Sequence, residues 1–185
     1  WYAGEQQGTA IADALFGKVN PGGKLPVTVA RNVGQLPNFY NYKPSARRGY
    51  LFDEVTPLYP FGFGLSYTNF EMSAPTLSAT TIKAGQPVTV TTTVTNTGDV
   101  AGDEVVQVYL RDEISSVTRP VKELAGFQRV TLQPGESRAV SIPIEPRSLM
   151  MWNREMERVI EPGDFTIMVG PNSQDLQDVT LTVVP

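Results

Sequence analysis

The feature that most constrains this chain is the alternation of its second two-thirds, cut at regular intervals by turn residues. Val88, Val90 and Val94 alternate with Thr89, Thr91, Thr93 and Thr95. This is the period-two pattern of a strand with one buried and one polar face. Asn96-Thr97-Gly98-Asp99 supplies a turn, and Val106, Val108 and Leu110 mark the next strand. Further apolar runs lie at Phe127–Leu132, Val140–Ile144, Phe165–Val169 and Val179–Val183, separated by Pro134-Gly135, Pro162-Gly163 and Pro171-Asn172. Short strands with this punctuation predict an all-β sandwich.

With an early strand near Met72–Leu77 the count is about seven, which predicts a seven-stranded immunoglobulin or fibronectin type III-like sandwich over residues 69–185. The chain has no cysteine and no histidine. Disulfides, thiol nucleophiles, histidine-based triads and Cys or His metal sites are therefore excluded, and proton transfer would fall to Asp, Glu, Lys or Tyr. Net charge is -4 with no basic stripe, so nucleic acid is not an expected partner. No stretch approaches the roughly 18 apolar residues of a membrane helix, so no membrane association is expected.

Residues 1–68 read differently. Glu5 to Phe16 predicts a short helix with Ile11, Ala14 and Leu15 on one face, Glu5 in its first turn and Gly17 at its end. Val19 to Lys24 is a turn, and Leu25-Pro26-Val27-Thr28-Val29 predicts a strand. Residues 30–68 have little periodicity but many rings, among them Phe39, Tyr40, Tyr42, Tyr50, Phe52, Tyr59, Phe61, Phe63 and Tyr67. These are expected to anchor a long loop across a larger surface. One helix and one strand cannot form a core alone, so the segment must pack on the sandwich or on chain lying upstream. Its first residue is Trp1, with no leader pattern after it, which is the expectation for an internal fragment. Stretch 57–64 (PLYPFGFG) is expected to act as a rigid hinge into the second domain.

Three motifs carry a family resemblance. Trp1-Tyr2-Ala3-Gly4-Glu5-Gln6-Gln7-Gly8, followed by Ala10-Ile11-Ala12-Asp13-Ala14-Leu15-Phe16-Gly17, resembles a stretch of glycoside hydrolase family 3. Asn20-Pro21-Gly22-Gly23-Lys24-Leu25-Pro26 and Leu58-Tyr59-Pro60-Phe61-Gly62-Phe63-Gly64-Leu65-Ser66-Tyr67-Thr68-Asn69-Phe70 are similar to two further motifs of that family, in the same order. Val94 to Gly98, Arg119-Pro120-Val121-Lys122-Glu123-Leu124 and Glu161 to Phe165 resemble its appended fibronectin type III-like domain. The likeness is to the periplasmic β-glucosidase type.

The resemblance implies that residues 1–68 end an α/β sandwich domain and that 69–185 form a complete third domain. It further implies that the parent is a retaining exo-β-glycosidase acting on terminal β-linked glucose. That parent would need no cofactor and no metal, and it would be periplasmic or secreted. The partners of this segment would be the barrel and α/β sandwich of the same enzyme. Such chemistry needs two carboxylates roughly 5–5.5 Å apart across one glycosidic bond. The family's nucleophile and acid/base lie upstream of these motifs, so no catalytic residue is assigned here and the segment is expected to be structural and inactive alone. A stand-alone carbohydrate-binding or adhesion sandwich is the alternative, and β-xylosidase the alternative activity of the parent.

Arg47, Arg48 and Tyr50 suit sugar hydroxyls and faces, and Arg48 and Tyr50 are the substrate-binding candidates; packing against neighbouring protein is the plainer role. Glu5 reads as a helix-end charge, and the adjacent Asp53 and Glu54 read as a solvated pair. Asn20 to Gly23 reads as a turn rather than a phosphate loop. Asp99, Asp103 and Glu104 lack calcium-loop spacing. Trp152, with Met150 and Met151, is expected in the core or at a domain contact rather than as a sugar platform.

Overall fold

The computed structural model describes residues 4–45 and 54–185. Helix α1 (Gln7–Leu15) opens it, beginning two residues after Glu5, which therefore precedes the first turn rather than sitting in it. Gly17 adopts φ 74° and its N–H reaches the Ala14 carbonyl at 3.2 Å, ending the helix with a left-handed residue.

The strand expected at Leu25–Val29 does not form as such. The segment runs beside residues 58–63 and exchanges scattered bonds: Leu25 N to Phe63 O at 2.8 Å, Gly62 N to Leu25 O at 2.8 Å and Val29 N to Tyr59 O at 2.9 Å. Only Val29 and Tyr59 make a true bridge.

From Phe70 the chain builds a two-sheet sandwich. One sheet contains β1 (Phe70–Met72), β2 (Thr76–Leu77), β4 (Val88–Asn96) and β7 (Ser137–Ile144). β1 and β2 both pair antiparallel to β4, so they are two pieces of one edge strand interrupted near Pro75. The other sheet runs β3 (Thr81–Lys83), β11 (Gln177–Val184), β10 (Gly163–Gly170), β5 (Gly102–Asp112) and β6 (Glu123–Leu132) in that order. β3 lies parallel to β11 and was not expected; it is only three residues long and carries the single buried apolar residue Ile82. With β1 and β2 counted as one and β3 as an edge addition, the expected seven strands are present. Helix α2 (Pro146–Leu149) crosses between the sheets after β7, seating Leu149, and the short hairpin β8 (Met151–Trp152) and β9 (Arg158–Val159) follows it.

The alternation is used as expected. Val88, Val90 and Val94 face Val106, Val108, Leu110, Val140, Ile142, Ile144, Phe165, Ile167 and Leu181 in one core, each at most 5% exposed. Each such side chain contributes roughly 1.5–3 kcal/mol of transfer free energy. Asn96 closes the turn after β4 from within: its amide donates to Val100 O at 2.8 Å and Leu132 O at 3.1 Å, and its oxygen accepts from Thr68 and from Gly98 N. No Cβ fits at Gly98, because it would meet the Thr68 hydroxyl.

Candidate functional site

The part of the molecule with built-in chemistry is the seam between residues 4–68 and the sandwich. β5 explains its existence. Val106, Val108 and Leu110 turn to the core, so Gln107 and Tyr109 must turn outward, yet they are 3% and 0% exposed. The covering comes from the upstream segment. Phe61 stacks on Tyr40 with ring centres 4.3 Å apart, and both meet the Tyr109 ring edge-on, at 6.5 and 5.7 Å. Beneath the rings, the Tyr109 hydroxyl donates to Gln107 Oε1 at 2.6 Å, while Gln107 Nε2 donates to Gly62 O at 3.1 Å and Pro171 O at 2.6 Å. Gly62 has φ 80° and lies so close to this amide that a side chain would strike it. Burial pushes the Tyr109 and Tyr40 phenols up, opposed for Tyr40 by the bond from Leu124 N.

Two more ties flank the rings. Lys24 Nζ meets Glu104 Oε1 at 2.6 Å with both side chains largely buried. Asn20 donates to Ala101 O at 2.9 Å and accepts from Ser66 and Tyr67 N, so the turn at Asn20–Gly23 is a clamp on the sandwich. A cleft of about 190 Å³ beside the rings is lined by Tyr40, Tyr42, Thr56, Lys122 and Gln174. Lys122 donates to Ser173 O at 2.7 Å, and burial, then the nearby Arg111, lowers its amine pKa.

The carboxylates do not form a catalytic pair among the described residues. Asp112 and Glu123 come together only by sharing Arg119, at 3.3 and 2.9 Å. Burial raises the Asp112 pKa and Arg119 opposes that. Asp103 is held low chiefly by the Thr131 hydroxyl, with Arg129 adding to it, and Glu104 is spent on Lys24. No group of Asp or Glu suited to a metal occurs among the described residues.

Arg47, Arg48, Tyr50 and Asp53 fall outside the described residues. Glu54 pairs with Arg31 at 3.3 Å, and Glu5 is exposed. The expected ring anchors divide: Tyr40 and Phe61 hold the sandwich, whereas Phe39 and Tyr67 are 58% and 51% exposed. Of the two places expected for Trp152, the core is excluded: Leu149 and Met151 are buried, while Trp152 is 56% exposed on the short hairpin. Gln107, Lys122 and the Lys24–Glu104 pair went unnoticed in the sequence. The one available signal was the place of Gln107 in an otherwise apolar run, Val105 to Leu110.

The seam joins regions that match two different domain models. Residues 1–67 match the model of the glycosyl hydrolase family 3 C-terminal domain, and residues 104–173 match that of the fibronectin type III-like domain. The chain belongs to glycoside hydrolase family 3. A β-xylosidase of Formosa agariphila is 49% identical over 99% of this family 3 chain and 26% of its own length. A periplasmic β-glucosidase of Salmonella typhimurium is 46% identical over 94% of the chain and 24% of its own. Among solved structures, a β-glucosidase from Erythrobacter marinus superposes with TM-score 0.96 at 50% identity, covering 100% of this chain and 24% of that one. A β-glucosidase of Listeria innocua in complex with glucose gives 0.94 at 36%, covering 100% and 27%. The family 3 chain thus spans about a quarter of the length of these relatives, and corresponds to the C-terminal region of that family.

Proposed function

We propose that this chain is the non-catalytic C-terminal part of a retaining exo-β-glycosidase of the β-glucosidase type. The whole protein would release terminal β-linked glucose from oligosaccharides without metal or cofactor. In this reading residues 1–68 complete an α/β sandwich domain, and residues 69–185 form a domain that braces it and the barrel of the same enzyme. The supporting observation is the two-sidedness of the upstream segment. One side is locked to β5 through Tyr40, Phe61, Gly62 and Lys24. The other side, Ile11, Leu15 and Phe16 of the α1 region, is 50%, 72% and 88% exposed. An apolar helix side of this kind calls for further protein against it.

A periplasmic or secreted location is part of the proposal, supported by the name of the Salmonella typhimurium relative. No helix among the described residues is long and apolar enough to cross a membrane. The Formosa agariphila relative favours β-xylosidase as a second reading of the whole enzyme's specificity. The polypeptide should show no turnover of aryl β-glucosides or β-xylosides. Hydrolysis by this chain at the rate of a full family 3 enzyme would overturn the non-catalytic reading.

A further inference from the structure

We infer that the β8–β9 hairpin forms a subsite for a neutral saccharide on the sandwich, with Trp152 as the stacking face; the choice of a β-linked gluco-oligosaccharide as ligand rests on the proposed function. The indole is held ready. Met151 is buried and pairs with Val159, while Trp152 pairs with Arg158, whose guanidinium carbon lies over the indole, 6.0 Å from the ring centroid. The hairpin loop is closed by Asn153, whose Oδ1 accepts from Glu155 N at 3.0 Å and Glu157 N at 2.9 Å. An aromatic platform fixed in this way loses little conformational entropy on binding.

Trp152 borders an open cleft of about 540 Å³ that also takes in Lys43, Arg119, Glu123 and Met151. That volume is within the range of about 300–1,000 Å³ typical of small-molecule sites. Arg119 is spent on Asp112, Leu149 O and Glu123 Oε2. Glu123 retains Oε1 as an acceptor, and its side chain is 41% exposed. The Lys43 amine contributes donors. One ammonium and one half-engaged carboxylate leave the cleft without a dominant charge, which selects against a strongly anionic or cationic ligand. An apolar face flanked by one donor and one acceptor group matches a pyranose, whose C–H face is apolar and whose rim hydroxyls both donate and accept. The subsite consists of this chain's own residues, so its test is separate from the catalytic reading: binding is measured, not hydrolysis.

The experiment titrates the 185-residue chain with cellotetraose, up to about ten times a millimolar Kd. Readouts are tryptophan emission and saturation-transfer NMR. The chain has two tryptophans, Trp1 and Trp152, so the Trp152→Ala spectrum identifies the reporter. A saturable emission shift is expected, weakened at least tenfold by Trp152→Ala, several-fold by Glu123→Gln, and largely retained in Trp152→Phe. Melting of each variant checks that it folds; if Trp152→Ala does not, Lys43→Ala and Glu123→Gln carry the comparison. No saturable signal from the intact chain would overturn the inference. So would binding that these variants leave unchanged, and a Trp152 that responds only to added protein would make the hairpin a protein contact instead.

Discussion

Replacing Gln107 by methionine tests the seam at its centre. The side chains have similar length, and residue 107 is 3% exposed, so the change alters polarity more than volume. It removes the donor to Gly62 O and Pro171 O and the acceptor for the Tyr109 hydroxyl. Gly62 O and the Tyr109 hydroxyl lie under the stacked rings, where water has poor access, and each orphaned group costs about 1–3 kcal/mol. The Pro171 carbonyl is only part-buried and can turn to solvent. Better burial of the thioether returns part of the loss, leaving a net destabilisation of about 2–4 kcal/mol. For a domain of this size that lowers Tm by about 5–15 °C. Urea titration gives the free energy, and limited proteolysis shows whether residues 54–68 detach before the sandwich unfolds. A loss below about 0.5 kcal/mol, the level of an ordinary surface change, would refute the claim that this network holds the segment on β5.

Lys24→Met should cost about 3–5 kcal/mol by leaving Glu104 buried without its cation, and the double change Lys24→Met with Glu104→Gln should recover most of it; thermal melts decide. Burial keeps the Tyr109 phenol protonated in the folded chain above its ordinary value of 10.0, while the unfolded chain releases that proton. Stability should therefore fall as pH rises through 10, and Tyr109→Phe should flatten that fall. Lys122, whose lowered amine acts in the opposite direction below 10.5, is common to both proteins, so the difference between urea midpoints is the quantity to read. Phe16→Ser should change the stability of this chain by less than about 0.5 kcal/mol, because the ring is 88% exposed here. In a longer enzyme in which α1 is covered, the same change should be destabilising by several-fold more.

How much of this was legible beforehand depended on whether the determining contacts were local. Val88, Val90 and Val94 announce their strand because pleating sends alternate residues to opposite faces, whatever the rest of the chain does. Gly17 likewise marks the end of its helix through local geometry. The misreading came from longer range: Leu25–Val29 has strand composition, but its neighbour, residues 58–63, meets it in scattered bonds and only Val29 and Tyr59 form a bridge.

The sequence by itself therefore determined the sandwich, its strand count and its kinship, because periodicity and motif are properties of neighbouring residues. Gln107 and Tyr109 lie on the face of β5 opposite Val106, Val108 and Leu110, where alternation alone would imply solvent. Only the tertiary structure decided that this face is dry. The covering residues, Tyr40, Phe61 and Gly62, are more than forty positions away, and no short-range pattern records which surface a loop will settle on.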